Sequence, residues 1–108
     1  MNAGEFVVVL TTVPVDFDAA TFASTLVGER LAACVNVVPG LRSVYRWQGA
    51  VETSDERQLL IKTTTARLSD LEVRIKALHP YDVPEFVVLP ISQGSAAYLS
   101  WLTDNTTP

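Results

Sequence analysis

The seven residues 79–85, HPYDVPE, carry the side chains of this sequence that are best suited to chemistry. His79 is the only histidine, and Asp82 and Glu85 follow it closely. Each proline fixes its own φ angle and favours an extended residue before it, so the segment is predicted to be a rigid loop. Its imidazole and carboxylates could hold a cation such as zinc or copper. Alternatively, the loop shapes a subunit contact, with Tyr81 packing and Glu85 in an ion pair.

Three charged residues, Glu52, Glu56 and Lys62, form a second candidate group. All three have even numbers, so on one unbroken strand their side chains share a face. A cluster of carboxylates and an ammonium could bind an anion or transfer protons. The alternative is a network of ion pairs that sets the register between subunits.

Three aromatic residues, Tyr45, Trp47 and Trp101, could line a pocket for a planar ligand, although such residues more often pack in interfaces. Cys34 is the only cysteine. A single thiol can form neither an intrachain disulfide nor a multi-cysteine metal site. Its neighbours in LAACVNVV are mostly apolar, which predicts a small core residue rather than a reactive thiol.

The sequence lacks the common signatures of enzymes. Its five glycines are scattered and form no phosphate-binding loop. No Ser–His–Asp arrangement or nucleophile elbow can be recognised. The loop at residues 11–18, TTVPVDFD, is acidic and has no arginine, unlike the phosphate-binding loop of an acylphosphatase. We therefore predict that the protein is not an enzyme and requires no cofactor.

The composition is that of a small acidic globular protein. Its 108 residues suit a single domain, 1–108, in which we expect residues 1–4 and 104–108 to be frayed. The formal net charge is −4 and the eight lysines and arginines are scattered, which argues against a nucleic-acid partner. The apolar run Phe6–Leu10 is too short for a secretory signal or a membrane span. We expect a soluble, cytoplasmic protein with no membrane partner.

The hydrophobic pattern predicts the order β-α-β-β-α-β followed by a C-terminal helix, which is an α+β ferredoxin-like sandwich. Strands are predicted at 5–12, along both arms of a long hairpin at 34–64, and at 86–91. We expect the hairpin to bend at Pro39–Gly40 and to turn at Gln48–Gly49.

The helices are predicted from their caps and apolar stripes. The first should follow a cap at Asp16 or Asp18. The second should begin at a capping box formed by Ser69 and Glu72 and end near His79, because a residue before proline avoids helical geometry. The third is predicted at 96–102.

Two helices are too few to cover this sheet. Right-handed crossovers would place both of them on one face. The hairpin nevertheless offers further apolar side chains, namely Val35, Val37, Leu41, Val44, Tyr45 and Trp47. The remaining sheet face and the projecting hairpin predict self-association.

Almost the whole chain resembles the CutA divalent cation tolerance proteins, and four segments carry the resemblance most strongly. They are ERLAACVNVVPGLRSVYRWQG (29–49), LIKTT (60–64), LHPYDVPE (78–85) and YLSWL (98–102). The resemblance implies a homotrimer of ferredoxin-like subunits, similar in architecture to the PII signalling proteins, with hairpins that reach across subunit boundaries.

The resemblance also implies a link to copper and other divalent ions. Some bacterial relatives have a cysteine after the first strand's apolar run and two consecutive histidines before the proline. Thr11 and Leu78 stand at two of these positions here, so His79 and Glu85 remain as metal candidates. A soft thiolate ligand for copper is missing from that set.

The sequence leaves two hypotheses about function open. The first is a homotrimer linked to divalent cation tolerance, which binds copper or zinc at clefts between subunits. The resemblance places Glu52, Glu56, Lys62, Tyr81 and Glu85 near those clefts. The second is a PII-like regulatory trimer that binds a small anion there through Lys62 and the aromatic residues, without metal.

Overall fold

The computed structural model describes residues 5–108, so the predicted fraying of residues 1–4 lies outside it. The described strands are Phe6–Pro14 (β1), Cys34–Trp47 (β2), Ala50–Thr64 (β3) and Val87–Pro90 (β4). The described α-helices are Ala19–Gly28 (α1), Leu68–Leu78 (α2) and Ala96–Thr106 (α3), and a 3-10 turn at Thr65–Arg67 leads into α2. This order confirms the predicted ferredoxin-like arrangement.

The four described strands form one antiparallel sheet in the order β2-β3-β1-β4. The short strand β4 lies at an edge of the sheet. Pro90 is tolerated there, because proline has no N–H to give to a further strand. Strands β2 and β3 form the predicted hairpin. Gln48 and Gly49 both have positive φ angles, 49° and 83°, which suits a tight two-residue turn.

A bulge interrupts β2 at the predicted bend. Val38 pairs with Gln58, whereas Leu41 pairs with Glu56, so β2 contains one extra residue between these pairs. Gly40 has a φ of 68°, a conformation that glycine adopts without steric cost. A bulge of this kind increases the local twist of a strand pair. The largest dimension of the chain is 44 Å, against 25 and 23 Å.

The main core lies on the sheet face that α1 and α2 cover. Odd-numbered residues of β1 and β3, such as Val9 and Ile61, point to this face and are fully buried. Phe22 and Leu26 of α1 and Ile75 of α2 pack against them. The period-2 alternation of the strands thus meets the apolar stripes of both helices.

The opposite face of the sheet is covered at one end only. Phe6 and Ala33 pack there against Leu99 and Leu102 of α3. Beyond α3 the even-numbered strand residues remain accessible, and Leu89 on β4 is 45% exposed. We call this uncovered area the open sheet face; its apolar residues are Val8, Leu10, Val38, Leu60, Val87 and Leu89.

The structure confirms only part of the surplus apolar surface that the sequence predicts on the hairpin. Leu41, Tyr45 and Trp47 pair with even-numbered residues of β3, so they lie on the same side of the hairpin as the open sheet face. Val35 and Val37 pair with Ile61 and Leu59, so they point to the helix-covered side. Much of the open sheet face comes instead from β1, β3 and β4. Strands with an unbroken apolar run do not reveal from sequence which of their faces stays uncovered.

Two expectations about helix ends are corrected. Ser69 and Glu72 do not form a capping box, because α2 already begins at Leu68 after the 3-10 turn, and Glu72 instead lies 3.1 Å from Lys76 in an ion pair. The third helix is predicted at 96–102, but α3 continues to Thr106, whose side chain is buried. For α1, Asp18 is the cap: its carboxylate accepts from the Thr21 N–H, which lowers the pKa of Asp18.

Two buried threonines differ in whether their side-chain hydroxyl has a hydrogen-bond partner. The hydroxyl of Thr11 has no hydrogen-bond partner within the described residues, whereas that of Thr63 donates to the Leu31 carbonyl at 2.8 Å. Thr11→Val should therefore raise the free energy of unfolding by about 1–2 kcal/mol, since it removes an unsatisfied polar group at similar volume. Thr63→Val should lower it by about 1 kcal/mol. Urea denaturation measures both, and equal destabilisation by the two variants would contradict the assignment.

Candidate functional site

A cavity of about 580 Å³ lies between the outer part of the hairpin and the loop that follows α2. Six of the nine predicted site residues line it: Tyr45, Trp47, Glu52, Glu56, Tyr81 and Glu85. The pairing of β2 with β3 explains which hairpin residues line the cavity. Tyr45 pairs directly with Glu52, so both side chains lie on one face, which is also the face of Glu56.

The loop at 79–85 is held in place by its two prolines and by the ring of His79. His79 is the first extended residue after α2, with φ −75° and ψ 139°, as a residue before proline should be. Its Nε2 lies 2.7 Å from the Thr12 carbonyl oxygen on β1, and its Nδ1 lies 3.1 Å from the Tyr81 amide nitrogen. The imidazole therefore ties the loop to the end of β1.

These two contacts define the protonation state of His79. A carbonyl only accepts, so Nε2 carries the proton and donates to Thr12, while Nδ1 accepts from the Tyr81 N–H. Burial lowers the pKa of His79, although the hydrogen bond to Thr12 and the charge of Glu56 oppose this shift. The ring is neutral with both nitrogens engaged, so it can ligate a metal only after it gives up one of these bonds.

Glu56 and Tyr81 form the most buried polar contact of the cavity. The Tyr81 hydroxyl donates to Oε2 of Glu56 at 2.7 Å, and Glu56 is only 4% exposed. Burial, together with the hydrogen bond and the negative charge of Glu56, raises the pKa of Tyr81 far above its usual value. Tyr81 is therefore a stable hydrogen-bond donor that fixes one carboxylate oxygen of Glu56.

Glu85 lies on the rim of the same cavity. Its side chain is exposed, yet the protein atoms around it and the nearby charge of Glu56 raise the pKa of Glu85. Asp82 also lines the cavity, whereas lysine, arginine and histidine are absent from the described residues that line it. The site is thus acidic, with four carboxylates and no balancing positive charge of its own.

Lys62 and Trp101 do not belong to this cavity. Lys62 shares a face with Glu56, as the even numbering predicts, but it lies about 20 Å further along β3. Its Nζ stands 5.7 Å from the ring centre of Tyr98, and that ring lies 5.5 Å from Trp101. The side chains expected to form one cleft are therefore divided between two ends of the open sheet face within one chain.

The alternative hypothesis for Glu52, Glu56 and Lys62 is a network of ion pairs between subunits. Within the described chain these three residues form no such network. The ion pairs found there join Arg42 to Asp55, Arg67 to Asp70, Arg74 to Glu29 and Lys76 to Glu72, and none includes Glu52, Glu56 or Lys62. Cys34, expected in the core, is half-buried, with its Sγ 3.9 Å from Asn36 Oδ1.

Two cavity residues escaped the sequence analysis. Ser43 and Thr12 also line the cavity. Alternation along β2 places Ser43 on the same face as Tyr45, so this residue could have been found from the pattern. Thr12 could not, because its position depends on where the loop after α2 crosses the end of β1.

The described residues contain no group of three or more histidine, cysteine, aspartate or glutamate side chains close enough to hold one metal ion. They also contain no helix that is both long and apolar enough to cross a membrane. The prediction that His79 and Glu85 bind a metal stays a prediction.

Comparison with known proteins gives one consistent result. Residues 7–105 match the family model described as CutA1 divalent ion tolerance protein. The divalent-cation tolerance protein CutA of Thermus thermophilus is 60% identical over 99 residues, which cover 92% of this chain and 96% of that protein. Rice protein CutA 1, named as chloroplastic, is 47% identical over 100 residues, covering 93% of this chain and 56% of the rice protein. The solved structure of the Thermus thermophilus divalent cation tolerance protein, Cut A1, superposes with a TM-score of 0.91 at 58% identity, covering 94% of this chain and 99% of that one.

Proposed function

Because this chain belongs to the CutA1 divalent ion tolerance protein family, we propose that it acts in divalent cation tolerance as a homotrimer that binds cations in clefts between its subunits. Copper and zinc are the proposed ions, and the cytoplasm is the proposed compartment. The proposal assigns the cavity a binding role and no catalytic residue.

The acidic cavity is the observation that carries the cation part of this proposal. Four carboxylates, from Glu52, Glu56, Asp82 and Glu85, line it, and no positively charged side chain does among the described lining residues. Carboxylates with a low-dielectric wall behind them concentrate negative potential, which attracts cations and repels anions. The cavity opens beside the outer hairpin, where a neighbouring subunit would complete it.

The geometry favours a weak metal site over a preformed one. Glu85 offers an exposed carboxylate, but both nitrogens of His79 are engaged in hydrogen bonds. Since zinc and copper sites in proteins use three or four well-placed ligands, one subunit alone does not fit a tight site. Water and a neighbouring subunit would supply the remaining ligands.

The open sheet face supports the trimer. Leu89 and Val87 on β4 are each 45% exposed in the single chain, and Val38 on β2 is 39% exposed. Half-buried Leu10 and Leu60 lie between them on the central strands. A contiguous apolar sheet face of this kind marks an interface, and a closed cyclic oligomer buries the same face on every copy.

The small-anion alternative depends on Lys62. This lysine forms no ion pair within the described residues and lies over Tyr98 at the other end of the sheet face. An anion site would therefore lie near α3, away from the acidic cavity.

Calorimetric titration of the metal-free protein with Cu²⁺ and Zn²⁺ tests the metal part. We expect binding at the cavity that weakens about tenfold or more in Glu85→Gln, because the variant loses a charged ligand while keeping its shape. Glu72→Gln on α2 is the matched control and should bind as the wild type does. No heat at sub-millimolar metal, or equal binding by Glu85→Gln, would contradict the proposal.

A further inference from the structure

Glu56 is a buried carboxylate without a positive partner in the described chain. Only 4% of it is exposed, and Tyr81 satisfies Oε2 alone. No ion pair among the described residues includes Glu56. Glu56 also lines the cavity, so a positive group bound there would pair with its carboxylate.

Part of the cavity wall is aromatic. Tyr45, Trp47 and Tyr81 line it together with the acids. The face of an aromatic ring attracts cations, and quaternary ammonium groups are the ligands that such walls typically recognise. Tyr45 keeps its hydroxyl 2.6 Å from Ser54 Oγ, which fixes the orientation of this ring on the hairpin.

The volume of the cavity and the spacing of its acidic side chains both disfavour a single metal ion as the only ligand. The described residues contain no group of three carboxylate, thiol or imidazole side chains close enough for one metal. A cavity of about 580 Å³ is in the range of small-molecule sites.

We propose that this cavity binds a small organic ammonium cation, with the ammonium group between Glu56 and the ring of Tyr45. The inference deepens the proposed function and rests on its assignment of the cavity as a cation site. It differs in the class of cation, because the aromatic wall recognises an alkylated ammonium rather than a bare metal ion.

Choline and its neutral isostere, in which a tert-butyl group replaces the trimethylammonium group, provide the test. Titration of the assembled wild-type protein, followed by calorimetry or by NMR shifts of the cavity residues, should show choline binding at least about tenfold tighter than the isostere. Glu56→Gln should remove most of that preference while its amide oxygen still accepts from Tyr81. Tyr45→Leu should weaken choline binding about threefold.

Glu72→Gln, far from the cavity, is the control and should bind choline like the wild type. Melting curves confirm that each variant is folded. Equal binding of choline and the isostere, an unchanged preference in Glu56→Gln, or no choline binding in the millimolar range would each overturn the inference. If choline does not bind but zinc still binds through Glu85, the proposed function stands and only the ammonium inference falls. If neither choline nor zinc binds, the proposed function and the inference both fall.

Discussion

Leu89→Glu should convert the proposed trimer into single subunits that keep their fold. Leu89 lies on the edge strand β4 and points to the open sheet face, because it pairs with Val8. In the single chain its side chain is 45% exposed, so a glutamate there is tolerated by the monomer. In a closed trimer three buried carboxylates would each cost several kcal/mol without a positive partner.

Light scattering coupled to size exclusion measures this effect. The wild type should have three times the chain mass of 11.8 kDa, and Leu89→Glu should have the mass of one chain. Val73→Glu is the matched control, because Val73 is 70% exposed on α2, away from the open sheet face. A wild type that is monomeric when dilute, or a Leu89→Glu protein that stays trimeric, would refute the assembly.

The same substitution also separates assembly from ligand binding. The cavity residues that carry the cation proposals lie within one chain, so a folded Leu89→Glu monomer retains its acidic and aromatic walls. If choline binds the trimer but not this monomer, a neighbouring subunit supplies part of the site. Binding by both would place the whole recognition surface in a single chain.

The order of the elements could be predicted from the sequence because local rules decide it. Proline after His79 ends α2, glycine permits the bulge at residue 40, and Gln48–Gly49 turns the hairpin. Each of these effects acts within a few residues. The family resemblance added the expected trimer, which local rules do not contain.

Which residues meet at the site depends on contacts between distant parts of the chain, so the site was only partly predictable from the sequence. Even numbering places Glu56 and Lys62 on one face, but their separation along β3 puts Lys62 under α3 and Glu56 beside Tyr81. Alternation gives the face of a residue and not which distant loop covers it. The unsatisfied hydroxyl of Thr11 could not be predicted either, because the sequence does not reveal which buried polar atoms form hydrogen bonds.

His79→Ala should destabilise the protein by about 2–4 kcal/mol. The substitution removes the ring that packs against Phe22 and leaves the Thr12 carbonyl and the Tyr81 amide without their partner. The loop that carries Tyr81 then loses its attachment to β1. Urea denaturation at fixed protein concentration and a pH of about 8 measures the loss, since the stability of an oligomer depends on concentration.

The pH dependence of this loss identifies its cause. His79 is neutral in the fold with a lowered pKa, so the unfolded chain binds a proton more readily than the folded one. Wild-type stability should therefore fall as the pH drops through the ordinary histidine value of 6.5 towards the lower folded value. His79→Ala has no histidine, and the groups common to both proteins, including Glu85, largely cancel in the comparison. The difference between the two proteins should thus shrink in acid. A constant or growing difference would contradict a lowered pKa of His79 in the fold.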